Sequence, residues 1–373
     1  MIIKKAINMT SNMTSNMPSS RLLSLDVFRG LTIIAMIVVN SPNTYGELSH
    51  AHWVGINFAD LVFPFFILIV GVAISLGFKN IDSSSPQLPD ILKKVWRRAL
   101  TLIGLGLVVN LFYTHFEQIR LLGVLQRIGI VYLVCCYLAI YCSTKTVVKV
   151  GVAILLLYWL FILLVPAPGL PSGHLVRGEN IINWFDQFVP GMLWRGTWDP
   201  EGLLSTFPAV VTGIMGMLIG HIIVKGKGNL PITVMNLFVF GFVTFSLGCI
   251  WSLGFPFIKQ AWTSSFVLAT GGIGAMILAS MMWYTDVKGF RSGTKVATIF
   301  GANAITAYVL HVIIEKFLDW QVAGISIHNS YIGLMSSMGV SDFFSATAWV
   351  ILFLCVCFIP VYVLYRKQIF IKI

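Results

Sequence analysis

The sequence predicts an all-α polytopic membrane helix bundle of about ten transmembrane helices with both termini cytoplasmic, on three observations. Hydrophobic residues make up 57% of the chain against 10% charged, with mean hydropathy +0.87, far beyond the composition of a soluble domain. These residues fall in runs long enough to cross the ~30 Å hydrocarbon core as helices. With the N-terminus inside, nineteen of the 25 basic residues fall on cytoplasmic segments and five on outer ones, with Arg127 inside a span. That asymmetry is the positive-inside signal. The net charge of +11 is therefore read as an orientation signal toward the lipid bilayer, and a nucleic-acid partner is not expected.

In chain order, residues 1–20 are polar and rich in Ser, Asn, Met and Thr, which predicts a disordered cytoplasmic tail. Lys4 and Lys5 have no apolar core behind them, so no cleaved signal is expected. Residues 21–373 are read as a single transmembrane domain. Its spans are placed at about 27–41, 60–78, 98–114, 122–141, 148–165, 203–223, 232–253, 263–284, 296–317 and 342–364. An even number of spans returns both ends to one side. The long connections, 166–202 and 318–341, are outside, while cytoplasmic links such as KGKGN are short, so specific recognition is expected to face outward. The six cysteines lie in or at the ends of apolar spans, which points to neither a disulfide framework nor a zinc site, and no metal is expected.

Ionisable groups at a membrane are costly, so those near the outer face are the first candidates for function. Asn40, His50, His52 and Asp60 sit in or beside the short connection between the first two spans, and His115, Glu117, Arg120, Gln126, Arg127, Asp199, Glu201, Asn303 and His311 follow. Histidine titrates near neutrality and suits a general base for an amine or hydroxyl. Asp60, ten residues after His50, could orient its imidazole. Asn40 could donate an amide hydrogen bond to a developing oxyanion. Each has a plainer reading: Asn40 as a helix cap, Asp60 as an acidic N-terminal cap, and one of the two histidines as an interface residue beside Trp53. His50 and His52 alternate around Ala51, so one of them is expected to point into a given site. Three polar groups on one tight turn favour a site there.

The strings SLDVFRGLTIIAMIVVN and HAHWVGINFADLVFPFFILIVGVAI resemble the opening of the heparan-α-glucosaminide N-acetyltransferase family. GVLQRIG at 123–129, WDPEGLLST at 198–206, WTSSFVL at 262–268 and GANAITAYVLH at 301–311 continue the match in order. The resemblance implies transfer of acetyl from cytoplasmic acetyl-CoA, as co-substrate, to the amino group of glucosamine or of a terminal glucosamine on the outer side. It gives the catalytic role to His50 of the HAxW element, with Asn40 and Asp60 as its polar companions. The large lumenal N-terminal domain of the animal members is expected to be missing, because the apolar runs begin almost at once. A bacterial cytoplasmic (inner) membrane is the implied location, and a homodimer is a candidate assembly.

Topology then requires the CoA pantetheine arm to run along a channel between helices, with the nucleotide at the cytoplasmic mouth. Arg29, Arg97, Arg98 and the intramembrane Arg127 are candidates to hold the CoA, although Asp26 lies three residues before Arg29 and could pair with it. Asp199 and Glu201 are candidates for sugar hydroxyls, and Trp198 and Trp194 for stacking on a pyranose. Asn303 and His311, eight residues apart, are expected to share a helix face that could line the cavity or bond another helix. The runner-up readings are an amino-sugar permease and an O-acetyltransferase of an envelope glycan.

Overall fold

A computed structural model of the chain describes residues 22–41, 48–114, 116–319 and 326–371, so the tail at 1–20, His115 and residues 320–325 of the second outer loop lie outside the described residues. The first half of the bundle consists of α1 (Leu23–Asn40), α2 (Phe58–Gly77), α3 (Leu88–Tyr113), α4 (Val124–Tyr141) and α5 (Thr144–Leu164). The following connection carries a hairpin, β1 (Leu175–Val176) and β2 (Glu179–Asn180), and the short α6 (Ile181–Asp186). Then come α7 (Thr206–Lys225), α8 (Leu230–Ser252) and α9 (Ser264–Met282), the last running into a π-helical turn at Trp283–Val287. The chain ends with α10 (Thr294–Ala302), α11 (Ala304–Asp319), α12 (Ile327–Ser337) and α13 (Asp342–Arg366). Among the described residues nine helices are long and apolar enough to cross a membrane, and α10 with α11, bent by 86° at their junction, passes the same test as a pair and brings the number to ten if the two form one span.

Lipid tails are as apolar as leucine, so hydrophobicity alone does not order such helices; close packing of small residues does. A Cβ built on Gly71 would lie 2.0 Å from the Gly213 carbonyl oxygen, and one on Gly216 would lie 2.1 Å from that of Leu68. Helices α2 and α7 therefore meet backbone to backbone, and both are buried on almost every side. The peripheral α8 instead exposes Phe238, Phe242, Leu247 and Ile250, the apolar surface that hydrocarbon covers. This contrast between buried and lipid-facing helices fixes which side chains can reach the interior.

At one end of the bundle four connections converge into a cap. Trp53, in the α1–α2 connection, donates its indole N–H to the Leu175 carbonyl at 2.6 Å. The Gly55 amide reaches Phe257 O at 2.9 Å, ahead of α9, and the Met192 amide reaches Ile119 O, between α3 and α4, at 2.9 Å. The hairpin pairs Leu175 with Asn180, whose side-chain oxygen caps α6 by accepting the Asn183 amide. The basic-residue asymmetry of the sequence predicts that this capped end faces outward.

Candidate active site

Helix α2 begins with a capping arrangement that also builds the site. Asp60 is its third residue, and its Oδ2 accepts the backbone amides of Asn57 and Ala51, both at 3.0 Å. The other oxygen, Oδ1, lies 2.9 Å from His50 Nδ1. Asp60 is wholly buried, whereas the His50 side chain is 43% exposed. A carboxylate only accepts, so the hydrogen bond to Asp60 requires Nδ1–H, and in the neutral imidazole that tautomer places the lone pair on Nε2. The cap and the orienting carboxylate of the sequence reading are thus the same hydrogen-bonded group.

The second neighbour of His50 comes from far along the chain. The Lys259 ammonium, in the α8–α9 connection, lies 3.0 Å from His50 Nδ1, 3.3 Å from Nε2 and 3.5 Å from Asp60 Oδ1. Burial holds this ammonium below the usual lysine range, while the charges of Asp60 and Glu201 pull it back up. Sequence reasoning missed Lys259 as part of the site; its one local signal is a lysine inside the mostly apolar GFPFIKQAW.

These groups open onto a cavity of about 560 Å³, within the ~300–1,000 Å³ range of small-ligand pockets. Asn40, His50, Trp194, Glu201 and Lys259 line its outer part, and Val70, Leu102, Ile128, Tyr132 and Arg98 line it deeper in the bundle. Along α3 alone the lining runs from Tyr113 to Arg98, fifteen residues or about 22 Å at 1.5 Å per residue. Arg98 lies over the Tyr132 ring, 4.8 Å from its centroid. His52 also faces the cavity and accepts from Arg177 at 2.8 Å, so both histidines of the turn reach it. Of the two, among the described residues, it is His50 that lies against a carboxylate.

Not every expected residue joins them. Asp199 is buried and receives a bidentate Arg120 guanidinium, Nε at 2.8 Å and Nη2 at 2.6 Å, together with the amides of Trp194 and Glu201. Burial would raise the Asp199 carboxyl, but Arg120 outweighs it and holds the group below the usual carboxylate range. The Arg120 guanidinium is likewise held above its ordinary value, with Asp199 and Glu201 overriding the effect of burial. Asp199 is a structural clamp on the cap, and it leaves Glu201, 2.6 Å from Arg120, as the member of that pair that lines the cavity. Trp198 packs edge-on against Trp53 in the cap core, whereas Trp194 borders the cavity. Behind them Asp186 accepts the Asp199 and Leu203 amides, and burial pushes its carboxyl up to about 6.

Asn303 sits at the break between α10 and α11, where it donates to Ile369 O and accepts the Ile371 amide, so it holds the C-terminal segment. The 86° bend removes the shared face expected of Asn303 and His311. His311 is buried, with Nδ1 on the Tyr308 carbonyl, away from the cavity lining. Arg29 pairs with Asp26 at 3.1 Å. Arg97 is exposed, and Arg127 is buried against Gly202 O, Ser205 Oγ and the Trp262 ring. Of the four basic candidates for CoA, Arg98 is the one lining the cavity. Among the described residues no group of three His, Cys, Asp or Glu is placed to hold a metal ion.

A family model described as "Heparan-alpha-glucosaminide N-acetyltransferase, catalytic" matches residues 21–245, more than half of the chain. The chain belongs to this family. It is similar to heparan-alpha-glucosaminide N-acetyltransferase of Homo sapiens, 27% identical over 413 residues that cover 95% of this chain and 60% of the human protein. The Mus musculus protein of the same name is also 27% identical, over 416 residues covering 95% of this chain and 61% of its own length. The chain thus spans about 60% of the length of the curated relatives it matches. The N-acetyltransferase family match contains His50, Asp60 and Asn40, while Lys259 lies beyond its end.

Proposed function

We propose that this chain is a transmembrane acetyltransferase that moves acetyl from cytoplasmic acetyl-CoA to the amino group of glucosamine, or of a terminal glucosamine, presented on the outer side. The proposed setting is a bacterial cytoplasmic membrane. The observation that carries the reading is a histidine paired with a buried carboxylate at the outer end of a cavity that continues deep between the helices to Arg98. An amine arriving from outside meets Nε2 of His50, which takes its proton as the nitrogen attacks the thioester carbonyl. Asp60 fixes the ring tautomer and stabilises the imidazolium that forms. Asn40, at the cavity wall, is the proposed amide donor to the oxyanion. Glu201 and Trp194 border the acceptor, and Arg98 is the proposed partner of the CoA phosphates.

The broken α10–α11 span lends some support to the alternative of an amino-sugar permease, because discontinuous helices are a common device of transporters. Proteoliposomes separate the two. Purified protein given acetyl-CoA and glucosamine should release free CoA and N-acetylglucosamine in equal amounts, and His50→Ala should lower that rate by about 10²-fold or more. Accumulation of unmodified sugar at the same rate in wild type and His50→Ala, with no acetyl transfer, would refute the enzyme reading.

A further inference from the structure

We propose that Lys259 is the proton donor to the departing thiolate and that His50 restores its proton, an inference that rests on the acetyl-transfer reading above. Lys259 lines the cavity, and its ammonium lies 3.3 Å from His50 Nε2, the ring nitrogen free to accept, and 3.0 Å from Nδ1. Its backbone is held firmly: Trp262 donates its amide to Lys259 O at 2.9 Å, and the preceding Ile258 is fully buried and bonded to Thr263 Oγ1. The charged groups that act on it from other elements are Asp60 on α2, Glu201 ahead of α7 and, with the same sign, Arg127 on α4. An ammonium drawn into a cavity wall is a better acid than one in water, and burial moves Lys259 in that direction.

The reaction needs two proton transfers of opposite sense, one from the attacking nitrogen and one to the leaving sulfur. The amine nitrogen bonds to the thioester carbon, and its proton goes to His50 Nε2. The oxyanion then collapses, the C–S bond breaks with its electron pair going to sulfur, and the thiolate takes a proton from Lys259 Nζ. Neutral Nζ recovers that proton from Nε2–H across the 3.3 Å contact. The imidazole returns to the tautomer whose Nδ1–H meets Asp60, the ammonium is charged again, and one proton has passed from amine to thiol with no other reactant. The direct contact between acid and base explains how both reset within one turnover.

The test varies the leaving group. Full-length protein is assayed with glucosamine and either acetyl-CoA or an acetyl aryl thioester, whose thiolate departs without needing a proton. Lys259→Gln and Lys259→Arg are both expected to lose about 10²-fold or more in kcat with acetyl-CoA, with KM within about threefold of wild type, because a guanidinium keeps the charge but does not release its proton. With the aryl thioester the loss should shrink to about fivefold or less, while His50→Ala stays slow with both donors. Wild-type rates in Lys259→Arg, or equal losses with the two donors, would overturn the proposal. A measurement on wild type alone covers the case in which the variants do not fold: across acetyl thioesters of graded thiol acidity kcat should change little, and a steep rise with thiol acidity would overturn the proton transfer. Wild-type protein that transfers acetyl from neither donor would instead remove the reading on which the proposal rests.

Discussion

Asp60 does two jobs with one carboxylate, and that makes its substitution informative. Its Oδ2 ties down the Ala51 and Asn57 amides while Oδ1 holds His50, and the carboxylate itself has no exposure to solvent. Asp60→Asn keeps the size but sets an amide N–H₂ against groups that need an acceptor. The expected outcome is a loss of stability of about 1–3 kcal/mol from the orphaned donors, read as a lower melting temperature in detergent. Under the proposed chemistry kcat should also fall by about 10²–10⁴-fold, because the imidazole loses its preferred tautomer. A variant that melts lower yet turns over normally would leave Asp60 a helix cap only. The His50–Asp60 relation was legible in the sequence because both lie on one short connection. Lys259 was not, because its partners are about two hundred residues away and a single lysine near a membrane face reads as an orientation charge. Asp199 misled for the opposite reason: an acid in an outer loop looks available until Arg120, 79 residues away, is seen to occupy it.

Individual helices were the most readable level, since a run of apolar residues fixes a span without tertiary information. All ten expected spans have counterparts in the fold. The failures came where a local event interrupts the pattern. Asn303 turns the ninth span by 86°, and two-residue strands at 175–180 are too short to leave a periodic signal. The α2–α7 contact carries the clearest element-level prediction. Gly71→Leu has no room against the Gly213 carbonyl, so the helices must part and the start of α2 moves with them. The expected outcome is loss of monodisperse protein on size-exclusion chromatography, with no such loss for Gly77→Leu, where a Cβ meets nothing within 4 Å. A second prediction concerns the outer connection. Arg120→Met leaves the buried Asp199 uncompensated and should cost about 3–5 kcal/mol at neutral pH. Because the folded carboxyl of Asp199 is depressed, its ion pair stabilises the protein above the unfolded value near pH 4, and that stability drains away as pH falls through the folded value. Melting temperature should therefore drop as pH falls below about 4 in wild type and much less in Arg120→Met. Asp186 acts with the opposite sign, because its carboxyl is raised to about 6 and favours the fold when protonated, so its contribution weakens as pH rises from about 4 through 6.

At the scale of the whole molecule the proposed reaction raises the question of how a cytoplasmic thioester would meet a base at the outer end of the cavity. Neither composition nor span order contains the answer, since a cavity exists only once α1, α2, α3, α4 and α11 are assembled around it. Its lining gives the proposed reaction a direction. Arg98 is ten residues into α3 from its N-terminal end, and the distance from there to Tyr113 is about 22 Å, comparable to most of the ~30 Å hydrocarbon thickness. Under the proposed reaction the extended carrier arm of the donor would take this path and the sugar the outer mouth. Val70 lies ten residues, about 15 Å, along α2 from Asp60 and faces the same space. Val70→Trp should therefore obstruct the donor route while leaving the His50 pair untouched. Its expected effect is a rise of about 10-fold or more in KM for acetyl-CoA with KM for glucosamine within about twofold, since only the donor's binding path is narrowed. Sidedness supplies the complementary measurement in sealed vesicles of known orientation. Acetyl-CoA should support transfer only from the face carrying the short, lysine-rich loops, and glucosamine only from the capped face. Equal use of acetyl-CoA from both faces would mean that donor and acceptor share the outer mouth, and the deep part of the cavity would then have no part in the reaction.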